Sequence, residues 1–341
     1  MDVARLFLLS VLLLFGSQAH ASKTSDTLFT VNGDRFVGEI KDLDVGKLTF
    51  DTDATGKFEV KWDYVVFLKS PRYFRVELDN GLLYFGSLDV DTTRAKLLVL
   101  LGDKKRETDL VDVVAITRIR ETFWDRVDGS VSLGFSFTRA SEVATLTLAG
   151  DATHLRDLDY RKLSFDLVNT LRKDSTPAQK QGLSFMNAWY LGYQWFGAAF
   201  GSYERNTELG LSARYSLGGG GGRWLIQSNR ERFMGMAALV VTWEKGKDGN
   251  RFNLESSLGT QYSLFRYEDP KVNLGTGFRL TPSLSTLGRI RADFDIKLKW
   301  EIVKDLTWEF SAYYSFDSQP ATEGASRHDY GITILSIGYS L

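Results

Sequence analysis

Between Arg289 and Ile302 the polarity of this chain switches at every residue: Arg289, Arg291, Asp293, Asp295, Lys297, Lys299 and Glu301 alternate with Ile290, Ala292, Phe294, Ile296, Leu298, Trp300 and Ile302. A strand points successive side chains to opposite faces, so one face here is wholly apolar and the other wholly ionic. Ordinary soluble strands run to about 5–6 residues, and a strand crossing a bilayer needs about 9–11. Taken alone, the segment also suits a soluble sheet with its apolar face turned inward. Its company favours the opposite orientation: a secretion signal, long alternating strands on either side, and an apolar alternating segment at the C-terminus.

Residues 1–21 carry Arg5, an apolar run from Leu6 to Phe15 and the small-x-small sequence Ala19-His20-Ala21, which reads as a signal peptide cleaved before Ser22. The chain has no cysteine, which excludes a disulfide framework, thiolate chemistry and lipid attachment at the cleavage site. After residue 22 no uncharged apolar run approaches the roughly 18 residues of a membrane helix. A membrane-spanning form of this chain must then be a closed barrel, because only helices and barrels satisfy every backbone polar group in hydrocarbon. A formal net charge of -1 argues against nucleic acid as a partner, since phosphate neutralisation needs a basic surface.

From Thr27 to about Arg120 the chain repeats itself at an offset of 48 residues: Gly33 matches Gly81, Gly38 matches Gly86, and Val65-Val66 matches Val113-Val114. Asn32-Gly33 and Asn80-Gly81 are hairpin-type turns, so each copy is expected to form about five short strands. Two copies are too few for a solenoid, and a side-by-side pair of SH3-like or Sm-like β-units, separated at Ser70-Pro71, is predicted. Such units serve as partner-binding or spacer modules.

From Val127 onward about twelve longer strands are predicted, near 127–138, 142–155, 159–173, 181–194, 196–205, 207–225, 231–245, 250–267, 271–286, 288–303, 306–318 and 329–341. An even count is what single-chain bacterial barrels have. Pro282 inside one of them would break a ladder bond. Phe233 to Trp243 is apolar on both faces, which a polar lumen alone does not explain. The organisation expected is therefore a signal peptide (1–21), a periplasmic tandem β-repeat domain (22–120) and an all-β, roughly 12-stranded antiparallel transmembrane β-barrel (121–341). If apolar residues face lipid, Arg214, Glu255, Arg279, Arg291, Asp293, Asp295, Lys297, Lys299, Glu301 and Glu309 project into the lumen. Ile290, Phe294, Ile296, Leu298, Trp300, Tyr339 and Leu341 then face hydrocarbon. A basic residue at the midplane of the lipid face costs about 2–4 kcal/mol, which selects this orientation. Mixed signs along one strand favour cross-strand pairs filling a closed lumen over a selective pore.

The last strand, with Leu335, Ile337, Tyr339 and Leu341 alternating with Ser336, Gly338 and Ser340, resembles the C-terminal signal read by barrel-assembly machinery, although such signals usually end in Phe or Trp. Three further motifs carry a family resemblance: Tyr203-Glu204-Arg205-Asn206, Gly218 to Gly222 running into Arg223-Trp224-Leu225, and Asp305-Leu306-Thr307 ahead of Tyr314-Ser315-Phe316. Over residues 125–341 the chain resembles the domain of unknown function 481 family of salt-induced outer-membrane proteins. That family commonly has Asp where Asn206 stands. The resemblance implies an outer-membrane barrel and no known reaction.

Chemistry is sparse. His154 and Ser164 fall on adjacent predicted strands, where a lipid-hydrolase pair could meet across a hairpin, and His328 sits beside Arg327 and Asp329 in a loop context. No nucleophile-elbow or paired-histidine metal spacing is present, and Gly218–Gly222 lacks the Lys-Ser or Lys-Thr of a phosphate cradle. No catalytic, metal or cofactor site is expected. The partners expected are outer-membrane lipid, the barrel-assembly machinery and a periplasmic protein. The function expected is an envelope scaffold, with a small-solute channel and a lipid-acting hydrolase as the alternatives.

Overall fold

The 48-residue repeat folds as two copies of one unit that share a strand. In the computed structural model the described residues are 26–91, 96–120, 122–139, 142–172, 178–207, 211–246, 249–303, 306–320 and 327–339. The signal-peptide segment lies outside them. The N-terminal strands are β1 (Asp26–Thr30), β2 (Arg35–Asp44), β3 (Lys47–Thr52), β4 (Gly56–Lys61), β5 (Val65–Leu78), β6 (Leu83–Asp91), β7 (Lys96–Leu101), β8 (Lys104–Asp109) and β9 (Val113–Arg118). In the first copy β1 pairs with β2 and β5, β2 with β3, and β3 with β4. In the second, β5 takes the part of β1 and pairs with β6 and β9, β6 pairs with β7, and β7 with β8.

Ser70-Pro71 does not separate the copies, as the sequence suggests, because β5 runs straight through it. The ladder is irregular between Ser70 and Phe74, which is where a proline without an N–H can be tolerated, and the Ser70 hydroxyl is anchored by donating to the buried Asp26 carboxylate at 2.6 Å. A further pairing of β9 with β2 merges both small barrel-like units into one nine-stranded sheet. They share one hydrophobic core, with Leu28, Phe50 and Leu68 of the first copy packed in the same cluster as Phe74, Leu97 and Ile116 of the second. Single 3-10 turns at Trp62–Tyr64 and Leu110–Asp112 occupy equivalent places, and the Trp62 indole N–H donates to the Leu110 carbonyl at 2.7 Å, joining one to the other.

The second sheet is a continuous antiparallel meander of twelve strands: β10 (Val127–Thr138), β11 (Val143–Leu155), β12 (Asp159–Arg172), β13 (Ala178–Gly192), β14 (Trp195–Asn206), β15 (Leu211–Gln227), β16 (Glu231–Gly246), β17 (Gly249–Arg266), β18 (Val272–Pro282), β19 (Ile290–Val303), β20 (Leu306–Asp317) and β21 (His328–Tyr339). The arrangement is barrel-like, with each strand paired to its neighbours in sequence; among the described residues no ladder joins β10 to β21. The strand read as 271–286 stops at Pro282, which cannot donate to the next ladder bond. The chain then folds back on β17, with an isolated bridge from Ser283 to Glu255 and the Leu284 N–H donating to the Leu254 carbonyl at 2.7 Å.

Connections differ between the two ends of the meander. At the end carrying the N-terminal sheet they span 156–158, 193–194, 228–230, 267–271 and 304–305; at the far end they span 139–142, 173–177, 207–210, 247–248, 283–289 and 318–327. The longest, therefore, lie at the far end.

Candidate functional site

Directly opposed residues of a ladder share a face, so the registers sort the side chains of the whole meander. On β19, Arg291 faces Thr281 and Asp317, Asp293 faces Arg279 and Ser315, and Lys299 faces Asn273 and Glu309. Carried through β18, β17 and β16, the same face holds Glu255, Thr242 and Glu244, and on β15 it holds Arg214. All ten ionic residues singled out in the sequence, Arg214, Glu255, Arg279, Arg291, Asp293, Asp295, Lys297, Lys299, Glu301 and Glu309, stand on this one face. The opposite face carries Ile290, Phe294, Ile296, Leu298 and Trp300, together with Leu217 (70% exposed) and Leu239 (57% exposed). The Tyr339 side chain and Leu341 lie outside the described residues.

The ionic face is concave. The Arg289 guanidinium, 2% exposed, donates to the Glu244 carboxylate of β16 at 3.3 Å and to the Asp317 carboxylate of β20 at 2.7 Å. Those strands lie four places apart in the sheet, so one side chain spans the interior. Arg214 extends the cluster, donating to Glu244 at 3.0 Å and to Glu204 at 2.9 Å. Beside it Glu255 accepts from Arg291 and, at 3.1 Å, from the Thr242 hydroxyl. Thr242, Glu244 and Glu255 are all 0% exposed. Charges buried to this degree persist only when paired and hydrogen-bonded, and this cluster crosses the interior near its far end.

Next to the ionic cluster the interior becomes apolar, which accounts for the doubly apolar stretch of β16. Phe196 and Phe200 of β14 lie across the glycine run of β15: a Cβ added to Gly218 or Gly222 would stand 2.5 Å from the Phe200 or Phe196 ring. Gly220 is as crowded, since a Cβ added there would stand 2.1 Å from the Ala237 carbonyl oxygen, and Ala238 and Val240 of β16 are buried on the same face. The glycines remove side-chain bulk where two aromatic rings point into the interior.

The N-terminal sheet covers the near end. Four successive connections meet it: the Arg75 guanidinium donates to the Asp157 carbonyl at 3.4 Å, Gln194 to the Asp79 carbonyl at 2.7 Å, Asn229 to the Val113 carbonyl at 2.7 Å, and the Tyr267 hydroxyl to the Val45 carbonyl at 2.7 Å. Inside this rim the Gln227 amide donates to the buried Glu77 at 2.8 Å, Arg232 pairs with Asp44 at 2.7 Å, and Arg75 lies 4.6 Å from the centre of the Tyr190 ring. Burial pushes the Tyr267 phenol up to about 12, with the Glu59 and Asp44 carboxylates adding to it. Tyr193 and Gln194 form the tightest of these turns with positive φ at both positions (49° and 69°), where Asn-Gly is the usual choice. Such backbone costs of the order of 1–3 kcal/mol per residue and persists only where its surroundings fix it; here the N-terminal sheet does so.

The histidines and Ser164 are placed apart. His154 faces Arg161 across the β11–β12 ladder, whereas Ser164 faces Asp151, about 10 Å further along. Positions three apart on a strand point to opposite faces, so the two side chains do not meet across the hairpin. The His154 ring instead stacks on Phe123 at 4.7 Å, and Nδ1 of His328 hydrogen-bonds the Tyr314 hydroxyl at 2.6 Å. Among the described residues no group of three His, Cys, Asp or Glu side chains could hold a metal ion.

A family model described as a protein of unknown function, DUF481, matches residues 130–340. The chain belongs to the DUF481 family. No curated protein matches it. The DUF481 segment covers β10 to β21 almost entirely and leaves the nine-stranded sheet outside the match. Its motifs fall on the interior: Glu204 is part of the ionic cluster, Gly218–Gly222 lie under the two phenylalanine rings, and the Ser315 hydroxyl donates to Asp293 at 2.8 Å, while Asp305 lies outside the described residues. Sequence reasoning does not select Thr242, Glu244 or Asp317 for the cluster, nor give Arg289 its role of crossing it. Thr242 and Glu244 do alternate with Val241 and Trp243, a faint form of the signal that β19 carries in full.

Proposed function

We propose that this chain is an integral outer-membrane β-barrel with an occluded lumen, its N-terminal sheet on the periplasmic side, acting as an envelope scaffold that engages a periplasmic protein. The observation carrying this reading is the sorting of faces: large apolar side chains on the convex side, charged side chains on the concave side, several of them buried in pairs. A soluble sheet protein would reverse it. No helix among the described residues is long and apolar enough to cross a membrane; in this reading the strands are the spanning elements.

Dimensions support the same reading. On the convex face of β14, Trp195 and Tyr203 are eight residues apart, or about 27 Å along the strand and roughly 20 Å along an axis tilted by about 40°. Barrel proteins have an apolar band about 25 Å tall, bounded by aromatic girdles. Tyr203 continues sideways into such a row, 5.2 Å from Tyr215, which is 5.5 Å from Trp243. Short turns on the periplasmic side and longer loops outside are the rule for these barrels, which orients the N-terminal sheet. The Arg289 crossing and the covered near end favour a scaffold over an open solute channel.

In fractionated cells the protein should sediment with outer-membrane fragments, and once purified it should migrate faster on a detergent gel before boiling than after it, as folded barrels do. A chain recovered wholly in the soluble periplasmic extract, with one mobility under both conditions, contradicts the proposal.

A further inference from the structure

Along β19 the inward charges are paired at both ends and unpaired in the middle. Arg291 is bound by Glu255 at the far end, and Lys299–Glu309 (2.6 Å) and Glu301–Lys271 (2.7 Å) are paired at the near end. Between them Arg279, Asp295 and Lys297 have no ion-pair partner among the described residues, although Arg279 stands directly opposite Asp293. Cross-strand neighbours of opposite sign normally close such pairs, as their neighbours on this strand do.

The wall at this level is hollowed out. Gly259, Gly275 and Gly277 fall at inward positions of β17 and β18. A Cβ at Gly275 would meet nothing within 4 Å, and one at Gly277 would stand 2.6 Å from the Asp295 carboxylate. The result is a chamber of about 590 Å³ with the four charges on one side and Met234 and Met236 on the other. That size lies within the range of small-molecule sites, about 300–1,000 Å³.

We propose that this chamber binds a small zwitterion of the amino-acid or short-peptide class. Its ammonium group pairs with Asp293 and Asp295, its carboxylate with Arg279 and Lys297, and its carbon body rests on the two methionines, whose flexible thioethers adapt to varied shapes. Arg279, Asp295 and Lys297 are exposed to the chamber, and a ligand of one sign would match only one of the two pairs of charges, an uncharged one neither. Asp295 and Lys297 are two positions apart on one face, about 7 Å, which suits the charge separation of a dipeptide.

Titration calorimetry on the purified full-length protein would use L-alanyl-L-alanine, its N-acetyl form and its C-terminal amide as probes. The free dipeptide should bind, and blocking either end should weaken binding at least about tenfold. In Asp295→Asn the free dipeptide and the amide should both weaken, and in Lys297→Met the free dipeptide and the N-acetyl form should, with the gel mobility shift of the folded protein retained. Equal affinity for all three probes, or heat from none of them, overturns the proposal. The chamber is formed by the sheet itself, so binding can fail while membrane partitioning succeeds, and the reverse.

Discussion

Arg289→Met should be the most destabilising single change in the twelve-stranded sheet, lowering stability by about 3–5 kcal/mol. The loss comes less from the missing attraction than from what remains: Asp317 without its guanidinium, and Glu244, 0% exposed, left with Arg214 as its remaining cation. Removing one partner of a buried pair strands the other, whereas removing both can be close to neutral. Arg289→Met combined with Asp317→Asn should therefore recover part of the loss, although the double variant carries more changes. The check is the temperature at which the fast-migrating folded form converts to the slow one, measured for both singles and the double. Additive losses would show that Arg289 and Asp317 do not act as a pair.

The second large effect is expected at Gly81. Gly33 and Gly81 are equivalent in the two repeats, and both have positive φ, 86° and 78°. Alanine at either position carries similar backbone strain. Their surroundings differ: a Cβ at Gly33 meets nothing within 4 Å, whereas one at Gly81 falls 2.2 Å from the Gln194 backbone nitrogen in the strained turn of the larger sheet. Gly81→Ala should thus lift the N-terminal sheet off the near end, and Gly33→Ala should leave it docked. Trypsin cleavage at Arg120 and Arg126, between the two sheets, reports the difference. Cleavage should be about tenfold faster or more in Gly81→Ala, the factor that about 1.4 kcal/mol of lost docking energy gives. Equal cleavage rates in the two variants would mean that this contact does not hold the domains together.

The legible parts of this fold are those where one local rule decides. Strict alternation from Arg289 onward places β19 and its faces, and the strands from Val127 on match expectation to within a few residues because long period-two patterns leave little choice of register. The repeat offset likewise places equivalent turns at Gly33 and Gly81. Sharing of β5 is not legible, since Pro71 reads locally as a break and only the bulge and the Asp26–Ser70 contact, 44 residues apart, carry the strand past it. Nor is the interior cluster fully legible. Glu244 and Asp317 are ordinary strand acids until curvature brings β16 within reach of a guanidinium that also binds β20. The same holds for Phe196 and Phe200, whose inward aim is explained only by Gly222 and Gly218 opposite them in the β14–β15 ladder. Non-local closeness of this kind depends on how far the sheet curls, and no single strand states it.

The central claim is the facing of β19, and the absence of cysteine from the chain makes it directly measurable. Single cysteines placed in turn from Ile290 to Glu301, labelled with a bimane fluorophore and reconstituted into vesicles containing doxyl-labelled lipid, report contact with hydrocarbon residue by residue. Strong quenching at 290, 294, 296, 298 and 300, with little at 291, 293, 295, 297 and 299, is the predicted result. Quenching that is uniform along the strand, or strongest at the charged positions, would contradict it.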